Sequence, residues 1–218
     1  MVEAMVYRLR VGCPWRDLPE RFGAWSSVYT RWSRWNRSGL WTKALALLAR
    51  KAKGVLRHLD ATHIKVHQHG SNPAGGQQNH GIGRTKGGLN TKLTALVDGR
   101  GRAVQLNLAP GQRADIRAAE DLAPIQGCRV VADKGYDSDR FRQHLAETGN
   151  THCIPPRAGR NAPAPYHRGH YKQRRHVENF FQRIKRFRAI ASRFDKTDRH
   201  FLASISLVSI LDWLNYTV

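Results

Sequence analysis

Apolar and polar positions change rhythm several times along the chain, and each change marks an element. Residues 55–67, VLRHLDATHIKVH, alternate around Asp60 with the period of two that sets one face of a strand against a core. TKLTALVDGRGRAVQLNLAP has the pattern of a hairpin: a strand over 91–97, a turn at Asp98-Gly99-Arg100-Gly101, and a strand over 102–108. Asp115 opens a helix that runs to residue 122. CRVVADKGYD reads as a short apolar strand ending at Asp133 and followed by a glycine turn. A helix over 138–147 comes next, stopped by Gly149, and THCIPP is the last strand. Residues 70–88, rich in Gly, Asn and Gln, and residues 157–169, rich in Pro and Gly, read as loop and linker.

Helical spacing rules both ends. At the start, PWRDLPERFG predicts a short helix ended by Gly23, SSVYTRWSRW a second one capped by Ser26, and TKALALLARK a third after the break at Gly39. Two short helices about a glycine turn, the second of them basic, fit a helix-turn-helix reader of DNA. They fit equally a small helical module whose tryptophans pack on the main domain, and both readings stand. At the far end, residues 198–215 predict a largely buried apolar helix. Residues 171–190 predict a helix with a polar stripe beside its buried seam. At ~100° per residue and with Tyr171 at zero, Arg174 falls near ~300°, Glu178 near ~340° and Lys185 near ~320°. Val177, Phe180, Phe181, Ile184 and Phe187 occupy roughly 160–280°. Glu178 is the single carboxylate in a segment otherwise dense in Lys and Arg.

The element order is therefore helices, then β–β–β–α–β–α–β, then two helices. Three strands joined by short turns, then alternating strands and helices, give an α/β class with a mixed sheet and helices on both faces. A helical N-terminal module over 1–53 precedes a second domain over 54–218.

Composition sharpens the functional side. The 218 residues carry a net charge of +21, which points to a polyanion, most often nucleic acid. Hydrophobic residues make up 40%, enough for a real core. Cys13, Cys128 and Cys153 are odd in number, widely spaced and without a CxxC pair, so they read as reduced thiols of a cytosolic protein. The most apolar tract, 201–214, is too short and too polar to span a bilayer.

Three acids stand out. Asp60 lies mid-strand, where propensity disfavours it. Asp133 stands at a strand end, where carboxylates of open α/β sheets face a ligand crevice. Glu178 comes from the C-terminal helix. If the strand of Asp60 is central and neighbours that of Asp133, the three can converge, and together they call for a cation to offset their repulsion. Oxygen-only ligands suit Mg²⁺ or Mn²⁺. Two such ions can activate a water or hydroxyl and stabilise the leaving oxygen of a phosphodiester. Each acid also has a plain reading: Asp133 as a turn former, Glu178 as an i,i+4 partner of Arg174. Asp98, Asp137 and Asp139 are assigned such structural roles.

The pattern Tyr171-x2-Arg174-x3-Glu178-x6-Lys185 resembles the Y-R-E-K signature of DDE-type bacterial insertion-sequence transposases. HLDATHIKVHQHG, GRTKGGLNTKLTALVD, VVADKGYDSD and RFDKTDRHFLASISL, with the N-terminal PWRDLPERFGAW, are similar to the insertion-sequence-five branch of that family. The resemblance implies an RNase H-like fold and an enzyme that cleaves and joins DNA at insertion-sequence ends. Asp60, Asp133 and Glu178 would be the catalytic, metal-binding triad, with two Mg²⁺ per site and Mn²⁺ as a substitute. Tyr171, Arg174 and Lys185 would contact DNA near the scissile phosphate. The implied partners are double-stranded DNA, as terminal inverted repeats and as target, and a second copy of the chain in a synapsed homodimer, with no membrane involved. The expected location is the cytoplasm, in association with the nucleoid. Relatives usually carry more sequence ahead of YRLRVGCPW, which motivates a second reading: an inactive, truncated remnant that only binds DNA, or one frame of a split element.

Other candidates are weaker. His63, His67 and His69 share strand parity and, with His80, hint at zinc, but DNA or solvent contacts are the preferred reading. GQQNHGIGRTKGG lacks the spacing of a P-loop. The tryptophans of 25–41 read as core rather than as a platform for stacked bases.

Overall fold

The alternating segment around Asp60 is the centre of a sheet. In the computed structural model, which describes residues 1–122 and 125–215, strand β1 (Leu56–Val66) has neighbours on both sides. β2 (Gly83–Thr85) and β3 (Gly88–Asp98) form a hairpin, and β3 lies antiparallel to β1, with Arg57 opposite Asp98 and Lys65 opposite Asn90. β4 (Ala103–Pro110) is antiparallel to β3. On the other side of β1, β5 (Arg129–Val131) runs parallel to it, and β6 (Thr151–Cys153) runs parallel to β5. β7 (Ser192–Arg193) adds a short parallel pairing at the end of β1. Three antiparallel strands followed by two parallel ones about a central first strand is the RNase H-like arrangement.

The period of two divides the sheet between two cores. Leu59, Leu96 and Val130 face α4 (Asp115–Glu120) and α5 (Asp139–Glu147), packing with Tyr136, Phe141 and Leu145. Ile64, Leu93, Ala95 and Val97 face the opposite way, onto Phe180 and Ile184 of α7 (Arg175–Ile184) and Phe201 of α9 (Asp198–Trp213). Each large side chain buried this way contributes about 1.5–3 kcal/mol. Ser138 caps α5 by accepting a hydrogen bond from the Phe141 N–H at 3.2 Å. Ser138→Ala should therefore lower stability by about 1 kcal/mol, read from a denaturant melt.

The N-terminal segment shares the second core. α1 (Val2–Val11) buries Ala4, Met5 and Leu9, while α2 (Trp25–Arg37) and α3 (Leu40–Ala49) bury Trp32 and Trp41. Trp15, Trp32, Trp41 and Trp35 touch in series with ring centroids 5.5–6.2 Å apart. Trp32 and Trp41 are core and Trp35 packs against them, as the sequence suggested, whereas Trp25 is exposed. α1 is an addition to the sequence reading. Its marks are Glu3 in the first turn, Arg8 and Arg10 in the last, and Gly12 closing it at a φ of 77°.

Several expected elements differ. PWRDLPERFG forms two separate single 3₁₀ turns, Trp15–Asp17 and Glu20–Phe22, because Pro19 holds Leu18 extended between them. The first helix that the helix-turn-helix reading needs is consequently not formed there. α2 starts at Trp25 behind Ala24, so Ser26 is inside the helix and is not its cap. β5 ends at Val131, two residues before Asp133.

The single helix expected over 171–190 is three: α6 (Arg168–Lys172), α7, and α8 (Arg188–Ala191). Between α6 and α7 the N–H groups of Arg174, His176 and Val177 bond three residues back, which tightens the chain. Beyond α7, Phe187 turns extended so that both it and Ile190 reach the core. Residues 216–218 of the expected second domain lie outside the described residues.

Candidate active site

On β1 the residues of one parity, His58, Asp60, Thr62 and Ile64, point toward the α7 side of the sheet, where Ile64 joins the core beneath Phe180. β1 and β5 run in register with His58 opposite Val131, so two residues further along lie Asp60 and Asp133. The central strand thus carries Asp60 to the rim of β5, and α7 crosses above with Glu178 in its first turn.

Asp60 is half-buried. Its Oδ1 accepts from the Ala61 N–H at 2.8 Å and its Oδ2 from the Arg174 guanidinium at 2.9 Å. The other end of the same guanidinium donates to Glu178 Oε1. One arginine therefore bridges a carboxylate of the sheet and a carboxylate of the helix. Burial pushes the Asp60 carboxyl up, to about 6, against the Ala61 hydrogen bond and Arg174; Asp133 and Glu178 raise it further. Both other acids are close enough to be felt.

Asp133 also serves its turn. Its Oδ1 accepts from the Gly135 N–H at 2.8 Å, capping a 3₁₀ turn over Lys134–Tyr136. Among the described residues no three His, Cys, Asp or Glu side chains stand together as a ready metal cage. Asp60 and Glu178 meet on Arg174, and Asp133 approaches from β5 without joining that contact.

Lys185 reaches the same strand. Its Nζ donates to Thr62 Oγ1 at 2.7 Å and to the His63 carbonyl at 3.3 Å, and burial lowers its pKa. Tyr171, on α6, sets its ring edge-on to Tyr166 with centroids 5.6 Å apart. So Arg174, Glu178 and Lys185 do lie along one side, although three helices replace one: the break at Arg174 leaves that side facing β1.

Four neighbours escaped the sequence reading. Thr62 anchors Lys185. His58 is buried against the His176 ring, centroids 5.4 Å apart, and burial drives its pKa down to about 4, so it is neutral. Tyr136 is buried near Asp60 and Asp133, and burial followed by those carboxylates pushes its phenol far up. His58 and Thr62 were within reach of the period of two about Asp60; Tyr136 and His176 carried no such signal.

Of the other acids Asp98 is the turn former expected of it, whereas Asp137 and Asp139 form ion pairs and leave the cap of α5 to Ser138. Asp98 accepts from the N–H groups of Arg100 and Arg102 in the hairpin turn and pairs with the Arg102 side chain. Asp137 is buried among arginines, and Asp139 pairs with Arg160 at the start of α5. His67 and His69 leave β1: His67 stacks on Phe194 and accepts from the His69 N–H, while His80 bonds Asp198. All three cysteines are free thiols. No described helix is long and apolar enough to cross a membrane.

Comparison with known proteins adds a family context. Residues 51–213 match a family model described as a transposase DDE domain. Residues 1–45 match one described as "Putative transposase of IS4/5 family". A Brucella ovis protein named "Putative transposase for insertion sequence element IS6501" is 33% identical over 129 residues, which cover 58% of this chain and 99% of the relative. A Sinorhizobium fredii protein, "Uncharacterized protein y4sN", is 37% identical over 87 residues, 40% of this chain and 62% of that one. No solved structure matches the chain.

Proposed function

The chain belongs to the DDE-type transposases of insertion sequences, and on that footing we propose that it cleaves and joins DNA strands at insertion-sequence ends with Asp60, Asp133 and Glu178 as its catalytic carboxylates. The observation that carries this reading is the Arg174 bridge. A carboxylate from the central strand and one from α7 come to a single cation, and the third raises the pKa of the first.

The donor set fits a hard divalent cation: it is all oxygen, it is partly desolvated, and in this structure its charge is offset by a guanidinium. Asp60, Asp133 and Glu178 would hold two Mg²⁺, for which Mn²⁺ can substitute. When bound, such ions activate a water or a 3′-hydroxyl and stabilise the leaving oxygen of the phosphodiester. The chain's own part is positioning. Asp60 is fixed by the Ala61 N–H, Asp133 by the Gly135 N–H, and Lys185 by Thr62 and the His63 carbonyl. Arg174 and Lys185 reach the strand of Asp60, and with Tyr171 from α6 they would hold the DNA phosphates on either side of the scissile bond.

The partners on this reading are duplex DNA, as terminal inverted repeats and as target, and a second copy of the chain, since two ends must be brought together. Its place is at the nucleoid. The N-terminal helices, residues 1–53, buttress the catalytic domain. The direct test is incubation of the purified chain with DNA bearing the element's own ends. Cleavage and joining are expected with Mg²⁺ or Mn²⁺ and not with a chelator; equal products in the chelator sink the metal-dependent reading.

Arg174→Ala gives a readout that does not depend on activity. Without the guanidinium, Asp60 and Glu178 lose their counter-charge, so the metal-free variant should be less stable by roughly 1–3 kcal/mol. Added Mn²⁺ should then raise its Tm more than it raises that of the wild type, because the ion no longer competes with a resident cation. An equal rise in both proteins would show that Arg174 and the ion do not share the carboxylates.

A further inference from the structure

On the far side of α7 lies a cleft of about 430 Å³ whose polar walls are five arginines with Asp212 and Asn215. Arg10 reaches in from α1, Arg100 and Arg102 from the β3–β4 turn, and Arg183 and Arg186 from α7 and the residues just past it. Its floor is apolar, with Ile184, Phe187, Val208 and Leu211.

Two of these arginines are spoken for. Arg183 clasps Asp212 at 2.6 and 3.0 Å and donates to the Gly101 carbonyl at 2.6 Å. Arg102 pairs with Asp98 at 2.6 Å and lies over the Trp213 ring, 3.9 Å from its centroid. These contacts make a stiff wall. The other three have no carboxylate partner among the described residues. Arg10 lies over the Phe187 ring at 5.4 Å and donates to the Arg186 carbonyl at 3.5 Å, while Arg100 and Arg186 are exposed. Three guanidiniums free of carboxylate partners around one open cleft are available to anionic oxygens, and their spread over three elements suits a row of phosphates rather than one small anion.

The cleft is separate from the carboxylates. Arg183 is five residues past Glu178 on α7, so it points about 140° away around the helix. The chain divides immediately afterwards: Lys185 turns to Thr62 on β1, and Arg186 turns to the cleft. We propose that this cleft is a second phosphate-backbone site, holding duplex DNA outside the stretch that lies at Asp60 and Glu178. The proposal rests on the DNA-handling reading above.

The test is the salt dependence of duplex binding, followed by fluorescence anisotropy on a short labelled duplex with the full chain. Arg100→Ala/Arg186→Ala removes two exposed cations that hold no carboxylate, so its Tm should match that of the wild type. Its slope of log affinity against log salt should be shallower by about 2, one unit for each lost phosphate contact. Arg50→Ala/Lys51→Ala removes the same charge from an exposed place beyond α3 and should leave the slope nearly unchanged. Inorganic pyrophosphate at millimolar concentration should fail to displace the duplex. Equal slopes for the wild type and the cleft variant overturn the proposal, as does an equal loss in the control. Displacement by pyrophosphate overturns it in favour of a free-anion site. Cleavage with Mg²⁺ is read in parallel on the wild type. Absent cleavage beside a slope change counts against the catalytic reading and upholds the cleft; normal cleavage beside equal slopes counts against the cleft alone.

Discussion

Asp133→Asn should fold and bind duplex DNA like the wild type and yet lose metal-dependent strand cleavage by a factor on the order of 10² to 10³ or more. The substitution is nearly isosteric, and the structural duty of Asp133 is met by an oxygen without a charge. Its Oδ1 caps the turn over Lys134–Tyr136 through the Gly135 N–H, and an asparagine caps about as well. What disappears is the negative charge that Asp60 feels across the β1–β5 boundary. Asp60→Asn and Glu178→Gln should fall as far, but each also loses the charge that Arg174 pairs with, so their stability is less clean a control. The measurement is nicking of end-bearing DNA in Mg²⁺ beside duplex affinity in a chelator. Normal cleavage by any one of the three would remove that residue from the catalytic set.

Much of this arrangement was legible because local patterns and sheet rules agree. The alternation about Asp60 defined both the strand and its two faces. The turn at Asp98-Gly99-Arg100-Gly101 fixed the hairpin, and together these set the antiparallel half of the sheet. The same alternation made Asp60 conspicuous, since it puts a carboxylate mid-strand, where propensity disfavours one. The helical stripe of Arg174, Glu178 and Lys185 was also real in its consequence, although the helix is broken twice. The breaks were not legible because no proline or glycine marks them. They arise from tertiary demands: Arg174 reaches down to Asp60, and Phe187 turns inward to the core. Nor could the alternation show what lies between the acids. Spacing did offer the i,i+4 pair of Arg174 with Glu178 and the turn role of Asp133, and both are formed; that Arg174 also holds Asp60 follows from chain path and register. The N-terminal helix α1 was missed for a related reason. Its seam of Ala4, Met5 and Leu9 is modest by itself and becomes a core only against the C-terminal helices.

Asp137→Ala should be the most destabilising single change near the site, by about 3–5 kcal/mol. The Asp137 carboxylate is buried. It accepts from Arg142 at 2.8 and 3.0 Å, from Arg160 at 3.0 Å and from the Arg157 N–H at 2.8 Å. Arg142 is buried too, and it also donates to His152 and to the Ile154 carbonyl. Arg157 turns back to the carbonyls of Lys134 and Gly135. One carboxylate thus joins α5, the strand β6 and the chain after it to the turn that holds Asp133. Its loss strands a buried guanidinium without a counter-charge, and for a chain of this length Tm should fall by about 10 °C. The pH dependence has a definite sign. Burial pushes the Asp137 carboxyl up, but the Arg157 N–H and the Arg142 and Arg160 guanidiniums outweigh it and hold the pKa below the ordinary carboxylate value. A group whose folded pKa is depressed stabilises above its unfolded pKa, about 3.9 for Asp, and loses that contribution as pH falls through the folded value. The gap in Tm between wild type and Asp137→Ala should therefore be constant through the neutral range and narrow only in acid. A thermal melt series over pH reads both points. A variant that melts with the wild type at neutral pH would mean that the arginines find water or another partner, and that the turn bearing Asp133 is held by other contacts.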